Sequence, residues 1–384
     1  MQALERDGLS AAQVTALLTG TYVQVSTGCD LLAPDLSFVE DISDDLVGGR
    51  VARNLFATIH GTLDIALSRE LVWGNALVRP WMTLTNKTTS ARFDLGVYVL
   101  TTPERRVGET PVTFDVQGYD RLYLLEREVG ASYTVAAGVT YRAALLAVFT
   151  AAGLTGALID GVAADSTVPV ARAFPLVGSS SDPDQTDSPV TWLRIVNVLL
   201  EAINFRSVWC DERGVFRCHA YAEPSSRPTE FDLPADDEIA TIVGDDRTVI
   251  ADVYATPNRW VAIASNPPDG VVPSEANGLI QVRENLADGP TSQAERTPAV
   301  WPSVLSYEAA TSAALAGLID RRVASDRRTT VTVRMQTGTL PIAGHADIVA
   351  LVDGAAGLFG RAQAIGWSLP LDGSDMDWTL EMIL

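Results

Sequence analysis

The sequence is poor in residue types that many catalytic and metal-binding sites use. Its 384 residues include one lysine (Lys87), three histidines and three cysteines. Basic residues number 28 against 48 acidic ones, which gives a formal net charge of −20 and a pI near 4.5. Because so acidic a chain cannot offset repulsion from phosphates, the composition excludes groove-reading of nucleic acid. It also disfavours binding to anionic membrane surfaces.

Long apolar runs are also absent. No apolar stretch reaches the roughly 18 residues that a spanning helix needs, so we expect no membrane-spanning segment. The N-terminal residues contain no basic stretch leading into an apolar one, so we expect no secretory signal. The cysteines Cys29, Cys210 and Cys218 are an odd number in a large chain. They predict free, buried thiols rather than a disulfide framework.

The common enzyme motifs are missing. The sequence contains no G-x-x-x-x-G-K-[ST], no G-x-G-x-x-G, no G-x-S-x-G and no H-E-x-x-H. The histidines His60, His219 and His345 lie far apart in sequence, and we expect each to be a strand or loop residue rather than a ligand. We therefore predict no catalytic residue, no metal ligand and no cofactor.

An acidic loop partly fits the spacing of a calcium-binding loop. It begins at Asp182 and Asp184, but Asp187 occupies the position that requires glycine, and Leu193 stands where the bidentate Glu belongs. The loop around Asp372 departs from the pattern in a similar way. Both are better explained as solvated turns.

Hydrophobic periodicity divides the chain into a β-rich part, a mixed part and a second β-rich part. Ser10 and Gln13 have the spacing of a capping box and predict a short N-terminal helix. In the mixed part, Thr140 and Ser188 are predicted helix caps, and Asp211–Gly214 is a predicted hairpin turn that would place Cys210 opposite Val215.

The predicted class is α+β and mainly β, with two antiparallel β-barrel-like domains that bracket a small α/β insert. The predicted divisions are residues 1–20 (N-terminal helix), 21–120 (first β-barrel domain), 121–237 (α/β insert domain) and 238–384 (second β-barrel domain, with a helical and loop insertion at about 266–328).

Within the β-rich parts the alternation also predicts individual elements. Phe93 to Val99 would form one strand, and 248–255 would pair with 258–265. A helix is predicted over 306–324.

Five motifs stand in the order found in tail-tip hub proteins of tailed phages. They are LDIAL (63–67), LVWG (71–74), LVRPWM (77–82), FDLGVYVL (93–100) and VQGYDR (116–121). By these motifs the chain resembles that family, whose members are called baseplate hub, tail-associated or minor tail proteins. The resemblance is strongest over residues 40–125 and weaker afterwards, where the glycine usual before Asp347 is displaced to Gly344.

The motif positions are interpreted as structural, since none of these residues is catalytic in the family. They are Trp73, Gly74, Arg79, Pro80, Gly96, Tyr98, Gly118, Asp120 and Arg121. The glycines and the proline among them are expected to set bulges and strand ends.

The resemblance implies a homotrimer at the virion tail tip, made in the host cytoplasm. Two related barrels per subunit would give six modules that match a sixfold ring above and threefold symmetry below. The implied partners are other copies of the chain, a hexameric distal tail or tail-tube ring, a tip spike or fibre or other minor tail proteins, and the C terminus of the tape-measure protein. DNA would only pass through the channel, and the acidic charge would prevent it from adsorbing. The chain stops at about the length of the hub portion, so no lytic activity is carried over.

Two alternatives stay open. A carbohydrate-active or glycan-binding tail protein, acting as a lysin or adhesin on the host cell wall, would need clustered exposed aromatic residues and a carboxylate pair in a cleft. A hexameric distal tail ring protein would differ from a hub in its ring symmetry.

Overall fold

The computed structural model describes residues 2–20, 23–72, 77–106, 112–176, 189–234, 242–251, 253–254, 256–268, 270–328, 331–354 and 356–383, with the backbone alone at 234, 243–246 and 328. The motif residues Trp73 and Gly74, the acidic loop at 182–187 and the predicted cap Ser188 lie outside these ranges.

The described residues contain five α-helices. They are α1 (Ala11–Leu18), α2 (Leu122–Leu125), α3 (Tyr141–Ala151), α4 (Trp192–Ala202) and α5 (Ser312–Arg328). No helix in this part of the chain is both long and apolar enough to cross a membrane.

The helix starts follow from side-chain caps. Ser10 and Gln13 form the predicted capping box of α1, and Thr140 caps α3 by accepting a hydrogen bond from the Ala143 amide. The N-cap of α4 is Thr191, three residues after the predicted Ser188.

Twenty-two strands are described. In the first part of the chain they are β1 (Gln24–Leu32), β2 (Phe38–Asp41), β3 (Leu46–Asn54), β4 (Gly61–Leu67), β5 (Leu77–Thr85), β6 (Ser90–Asp94), β7 (Tyr98–Arg106) and β8 (Thr113–Asp120). The middle part contributes β9 (Tyr133–Val135), β10 (Ala157–Asp160), β11 (Arg172–Phe174), β12 (Trp209–Cys210) and β13 (Phe216–His219). The last part contributes β14 (Phe231–Pro234), β15 (Ile242–Ala251), β16 (Arg259–Ala264), β17 (Ile280–Glu284), β18 (Pro302–Tyr307), β19 (Val331–Thr337), β20 (Ile348–Asp353), β21 (Leu358–Pro370) and β22 (Met376–Ile383).

Fourteen of these strands form one large sheet. Its order is β15-β19-β22-β21-β3-β4-β8-β7-β5-β1-β2, with β20 pairing β21 and β14, and β6 pairing β5. The smaller sheets are β10-β13-β12, β11-β9 and β17-β16-β18. The α+β, mainly β class is confirmed.

The two β-rich parts are not two closed barrels, as we expected. Residues 50–54 of β3 lie antiparallel to residues 366–370 of β21, and the opposite edge of β3 pairs with β4. A strand has only two edges, so β3 cannot also close a barrel within the first part. The two parts instead share one open, branched sheet, whose longest run of paired strands ends at β2 and β15.

Three predicted elements of the β-rich parts were wrong. The expected strand from Phe93 to Val99 is broken between β6 and β7, where Gly96 has a φ of +126°. β15 pairs with β19 instead of β16, and β16 lies between β17 and β18 in a separate sheet. Because 302–307 forms β18, the helix expected from residue 306 begins at Ser312.

The described residues contain one large hydrophobic core, a second core in the middle part, and smaller clusters. The large core takes side chains from α1 and from both β-rich parts, including Val14, Leu63 and Trp378. The second is built by residues 122–218 around α3 and α4. We name residues 122–218 the middle segment; the division of the whole chain into four domains stays a prediction.

The hairpin of the middle segment has a register one residue from the predicted one. The Asp211 amide donates to the Val215 carbonyl, which places Cys210 opposite Phe216. All three cysteines are free and buried, as predicted.

Candidate functional site

Asp120, at the end of β8, fixes the start of the middle segment. Its side chain is buried, and its two carboxylate oxygens accept hydrogen bonds from the Gly61 amide at 2.7 Å and the Leu122 amide at 3.0 Å. Burial raises the pKa of Asp120 to about 6, although Arg53 and the two amide donors act in the opposite direction. One carboxylate therefore joins the starts of β4 and α2.

Arg121 continues this contact into the hairpin of the middle segment. Its buried guanidinium donates to the Gly214 carbonyl at 2.6 Å and lies 4.7 Å from the centre of the Phe216 ring. Burial lowers the pKa of Arg121. From β3, Arg53 donates to the Cys210 carbonyl at 2.9 Å. We name Arg53, Asp120, Arg121, Cys210 and Gly214 the junction, since they join the large sheet to the middle segment.

Two motif glycines, Gly96 and Gly118, lie against the buried side chain of a third motif residue, Tyr98. The Tyr98 hydroxyl donates to the Leu95 carbonyl at 2.9 Å, and burial raises the pKa of Tyr98. A Cβ at Gly96 would come within 2.7 Å of that hydroxyl oxygen, and a Cβ at Gly118 within 3.2 Å of the Tyr98 Cβ. Both glycines thus leave the space that Tyr98 occupies.

Arg79 and Pro80 lie in β5 and belong to a different set of contacts. The buried Asp30 carboxylate pairs with Arg79 at 2.7 Å and with Arg92 at 2.5 Å. It also accepts a hydrogen bond from Trp81 Nε1 at 3.1 Å. The Pro80 carbonyl accepts the Leu95 amide at 2.9 Å. These contacts hold β1, β5 and β6 together.

The three histidines of the chain meet beside the junction, which the sequence did not indicate. The ring centroids of His60 and His345 are 4.7 Å apart. His345 stacks on Trp209 with centroids 4.9 Å apart and planes 12° from parallel. Trp209 Nε1 donates to Nδ1 of His219 at 3.4 Å. We name these four residues the histidine cluster.

The histidine cluster favours neutral imidazoles. Burial lowers the pKa of His60 to about 4, and Arg53 and Arg206 lower it further. Burial also lowers the pKa of His219 to about 4 and holds that of His345 well below its usual value. Nδ1 of His60 is buried and has no hydrogen-bond partner in the described part of the chain.

Two small cavities adjoin the cluster. They have volumes of about 230 and 240 Å³, and Arg206 and His345 line both. Among the described residues, no group of three or more His, Cys, Asp or Glu side chains is placed to hold a metal ion. The chemistry that this arrangement offers is proton uptake by imidazoles between the large sheet and the middle segment.

Solved structures with a similar fold are known. No family model matches the chain, and no curated protein matches it. The chain is similar to a tail protein from Neisseria meningitidis MC58, with a TM-score of 0.61 and 11% identity over 93% of this chain and 96% of that one. It is similar to the 43 kDa tail protein of prophage MuSo2 from Shewanella oneidensis, with a TM-score of 0.58 and 13% identity over 92% and 98% of the two chains.

A third match comes from Listeria monocytogenes EGD-e. Its prophage tail protein gp18 has a TM-score of 0.52 and 9% identity over 92% of this chain and 94% of that one. The chain has the fold of prophage tail proteins. The resemblance that the sequence motifs predicted is thereby confirmed at the level of the fold.

Proposed function

We propose that the chain is a structural, non-enzymatic virion protein: a homotrimeric tail-tip or baseplate hub that adapts sixfold tail rings to threefold symmetry. The observation that carries this proposal is the extent of the similarity to tail proteins, which covers 93% of the chain in the Neisseria comparison. The similarity therefore includes both β-rich parts and the middle segment. The hub would contact a hexameric tail ring above it, and a spike, fibre or other minor tail proteins below it.

The two β-rich parts would supply the two surfaces per subunit that this arrangement needs, as parts of one sheet and not as two separate barrels. Each subunit contributes strands from two β-rich parts to one sheet through the pairing of β3 with β21. Three copies would present six β-rich surfaces around an axis, which can meet a sixfold ring if the contacts are heterologous and close.

Exposed apolar side chains at both ends of the sheet support assembly with other protein surfaces. On β2, Phe38 is 59% exposed and Val39 is 56% exposed. On β15, Val249 and Ile250 are 47% and 43% exposed. Edge strands that carry apolar side chains tend to pair or pack with a partner.

The charge supports a channel that DNA passes without binding. The chain has a net charge of −20, and residues 30–45 include six acidic and no basic side chains. Like charges repel over about 8 Å at physiological salt, so acidic walls would keep DNA from adsorbing.

The symmetry of the assembled protein tests the proposal. Native mass spectrometry and electron cryomicroscopy of the purified chain, alone and with its tail ring, should show a threefold ring. A sixfold ring would favour the distal-tail alternative, and a monomer that persists in assembled tails would refute the hub.

One exposed site supports the glycan-binding alternative as a second candidate. Tyr254 is 72% exposed and Trp301 is 38% exposed, and the guanidinium of Arg296 lies 5.8 and 5.3 Å from their ring centres. Aromatic faces of this kind can stack on sugar rings. Binding on a glycan array that is lost in Trp301→Ala and kept in Trp192→Phe would support this role, and no binding would remove it.

A further inference from the structure

The histidine cluster connects three parts of the chain that are distant in sequence. His60 lies between β3 and β4, His219 ends β13, and His345 lies between β19 and β20. Trp209, in β12, contacts His345 face to face and His219 edge to face. The cluster therefore lies on the contact between the middle segment and the large sheet, next to the junction.

The charged side chains that act on the three imidazoles are mostly arginines. Arg53 and Arg206 face both His60 and His345. His219 faces Arg206, Arg227 and Arg217, while Asp160 favours its charged form. The remaining charged or titratable residues that line the two cavities are Tyr221, Arg321, Glu381, Glu212 and Glu230.

Protonation of a histidine in this cluster is energetically unfavourable in the closed state. It would place a buried positive charge beside two arginines and a second imidazole. In the open state each histidine returns to its ordinary pKa of about 6.5, whereas the closed state holds the pKa of His60 and His219 at about 4. Opening therefore takes up protons, and it becomes more favourable as the pH falls from about 6.5 towards 4.

We propose that the histidine cluster is an acid-sensitive contact between the middle segment and the large sheet, and that it opens before the sheet unfolds while the junction at Asp120 and Arg121 stays closed. The two sides have separate hydrophobic cores, so local opening need not disrupt either one. The inference does not depend on the hub proposal, because it concerns contacts within one chain.

Hydrogen–deuterium exchange of the full chain tests the proposal. Exchange would be measured at pH 7.5 and pH 5.0 and corrected for the intrinsic pH dependence of amide exchange. Peptides covering 205–221 and 341–347 report on the cluster, and a peptide covering 77–84 reports on the sheet. A single histidine whose pKa moves from 6.5 to about 4 predicts about a 30-fold loss of protection at pH 5.0. Equal protection of the cluster peptides at both pH values would overturn the proposal, as would equal loss in the sheet peptide.

Variants and a second readout separate the cluster from general effects of acid. The triple variant His60→Gln/His219→Gln/His345→Gln should lose the acid-dependent opening. Asp372→Asn, at an exposed turn, should keep it. If the triple variant does not fold, NMR of ¹³C-labelled histidine in the native protein measures the histidine pKa values directly. The chain has only three histidines, so few signals need to be assigned. At least two should titrate below pH 5 in the closed state, and ordinary titration near 6.5 while the contact stays protected would refute the proposal.

Discussion

The carboxylate of Asp120 accepts the amide hydrogen of Gly61 at 2.7 Å, across 59 residues of sequence. Gly61 directly follows His60, so the junction and the histidine cluster share one segment of backbone. The two sites respond to acid in opposite senses, because burial raises the pKa of Asp120 and lowers that of His60.

Asp120→Asn is expected to change the pH dependence of stability. The native pKa of about 6 exceeds the ordinary value of 3.8. This carboxyl therefore favours the native state most below about pH 4, and its contribution falls by about 3 kcal/mol as the pH rises past 6. The asparagine side chain does not ionise, so the variant does not lose stability through this group as the pH rises. It also keeps only one of the two oxygen atoms that accept the Gly61 and Leu122 amides. Its deficit in unfolding free energy should be largest at pH 4.5 and smallest at pH 7.5 in urea titrations.

The matched control for this variant is Asp372→Asn, whose difference from the wild type should stay below about 1 kcal/mol at both pH values. A deficit in Asp120→Asn that grows towards neutral pH would contradict the assignment of a raised pKa.

Asp30→Asn is expected to destabilise the first β-rich part. The variant removes a buried carboxylate that pairs with Arg79 and Arg92. The expected loss is about 2–3 kcal/mol, since Asp30 is buried while its arginines are partly exposed. Asp64→Asn breaks an exposed pair with Arg50 and should cost less than about 1 kcal/mol. Thermal melts of the two variants measure the two losses of stability. Equal losses would show that the buried pairs of Asp30 contribute no more to stability than an exposed ion pair does.

Gly214→Ala is expected to disturb the junction. Gly214 has a φ of +77°, and its added Cβ would lie 2.8 Å from the Cβ of Val97. Gly153 has a φ of +72° with open space around it, so Gly153→Ala isolates the cost of the backbone conformation. We expect about 1–2 kcal/mol for Gly153→Ala, the usual cost of a side chain in the left-handed conformation, and a further cost of about 1–3 kcal/mol from overpacking for Gly214→Ala. Urea midpoints measure the difference, and similar midpoints would mean that the hairpin turn can move away from Val97.

Phe38→Lys/Val39→Lys is expected to weaken assembly without unfolding the subunit. Both side chains are exposed on the end strand β2, so the isolated chain loses little by the change. A subunit interface at this edge would lose apolar contact and gain charge, which should lower the affinity of the proposed trimer at least tenfold in analytical ultracentrifugation. Val162→Lys alters a side chain that is 90% exposed in the middle segment and should leave affinity unchanged. Full affinity in the β2 variant would exclude that edge from the interface.

Local signals in the sequence predicted much of the secondary structure. Ser10 and Thr140 were correct as caps because a cap depends on residues within one turn. Alternation also predicted strands at 248–255 and 258–265, which overlap β15 and β16. It did not predict partners, because β15 and β16 have the same pattern whichever strand lies beside them. We predicted two barrels and the structure has one open sheet, because β3 pairs with a strand about 300 residues away. No local sequence pattern encodes such a pairing.

The functional site was predicted less well, for the same reason. The motif order indicated Asp120 and Arg121 as structural positions, and the structure places both at the junction. The meeting of His60, His219 and His345 depends on the packing of three separated segments. Knowledge of long-range contacts would have been needed to predict this cluster, and the spacing of the three histidines in the sequence does not indicate such contacts.

The pairing of β3 with β21 has a mechanical consequence. A hinge between the two β-rich parts would have to break a ladder of five consecutive residue pairs, which makes relative rotation of these parts costly. If the chain does connect sixfold and threefold neighbours, loops and side chains at its periphery must adapt to the difference in symmetry. The two β-rich parts would then move together as one rigid body.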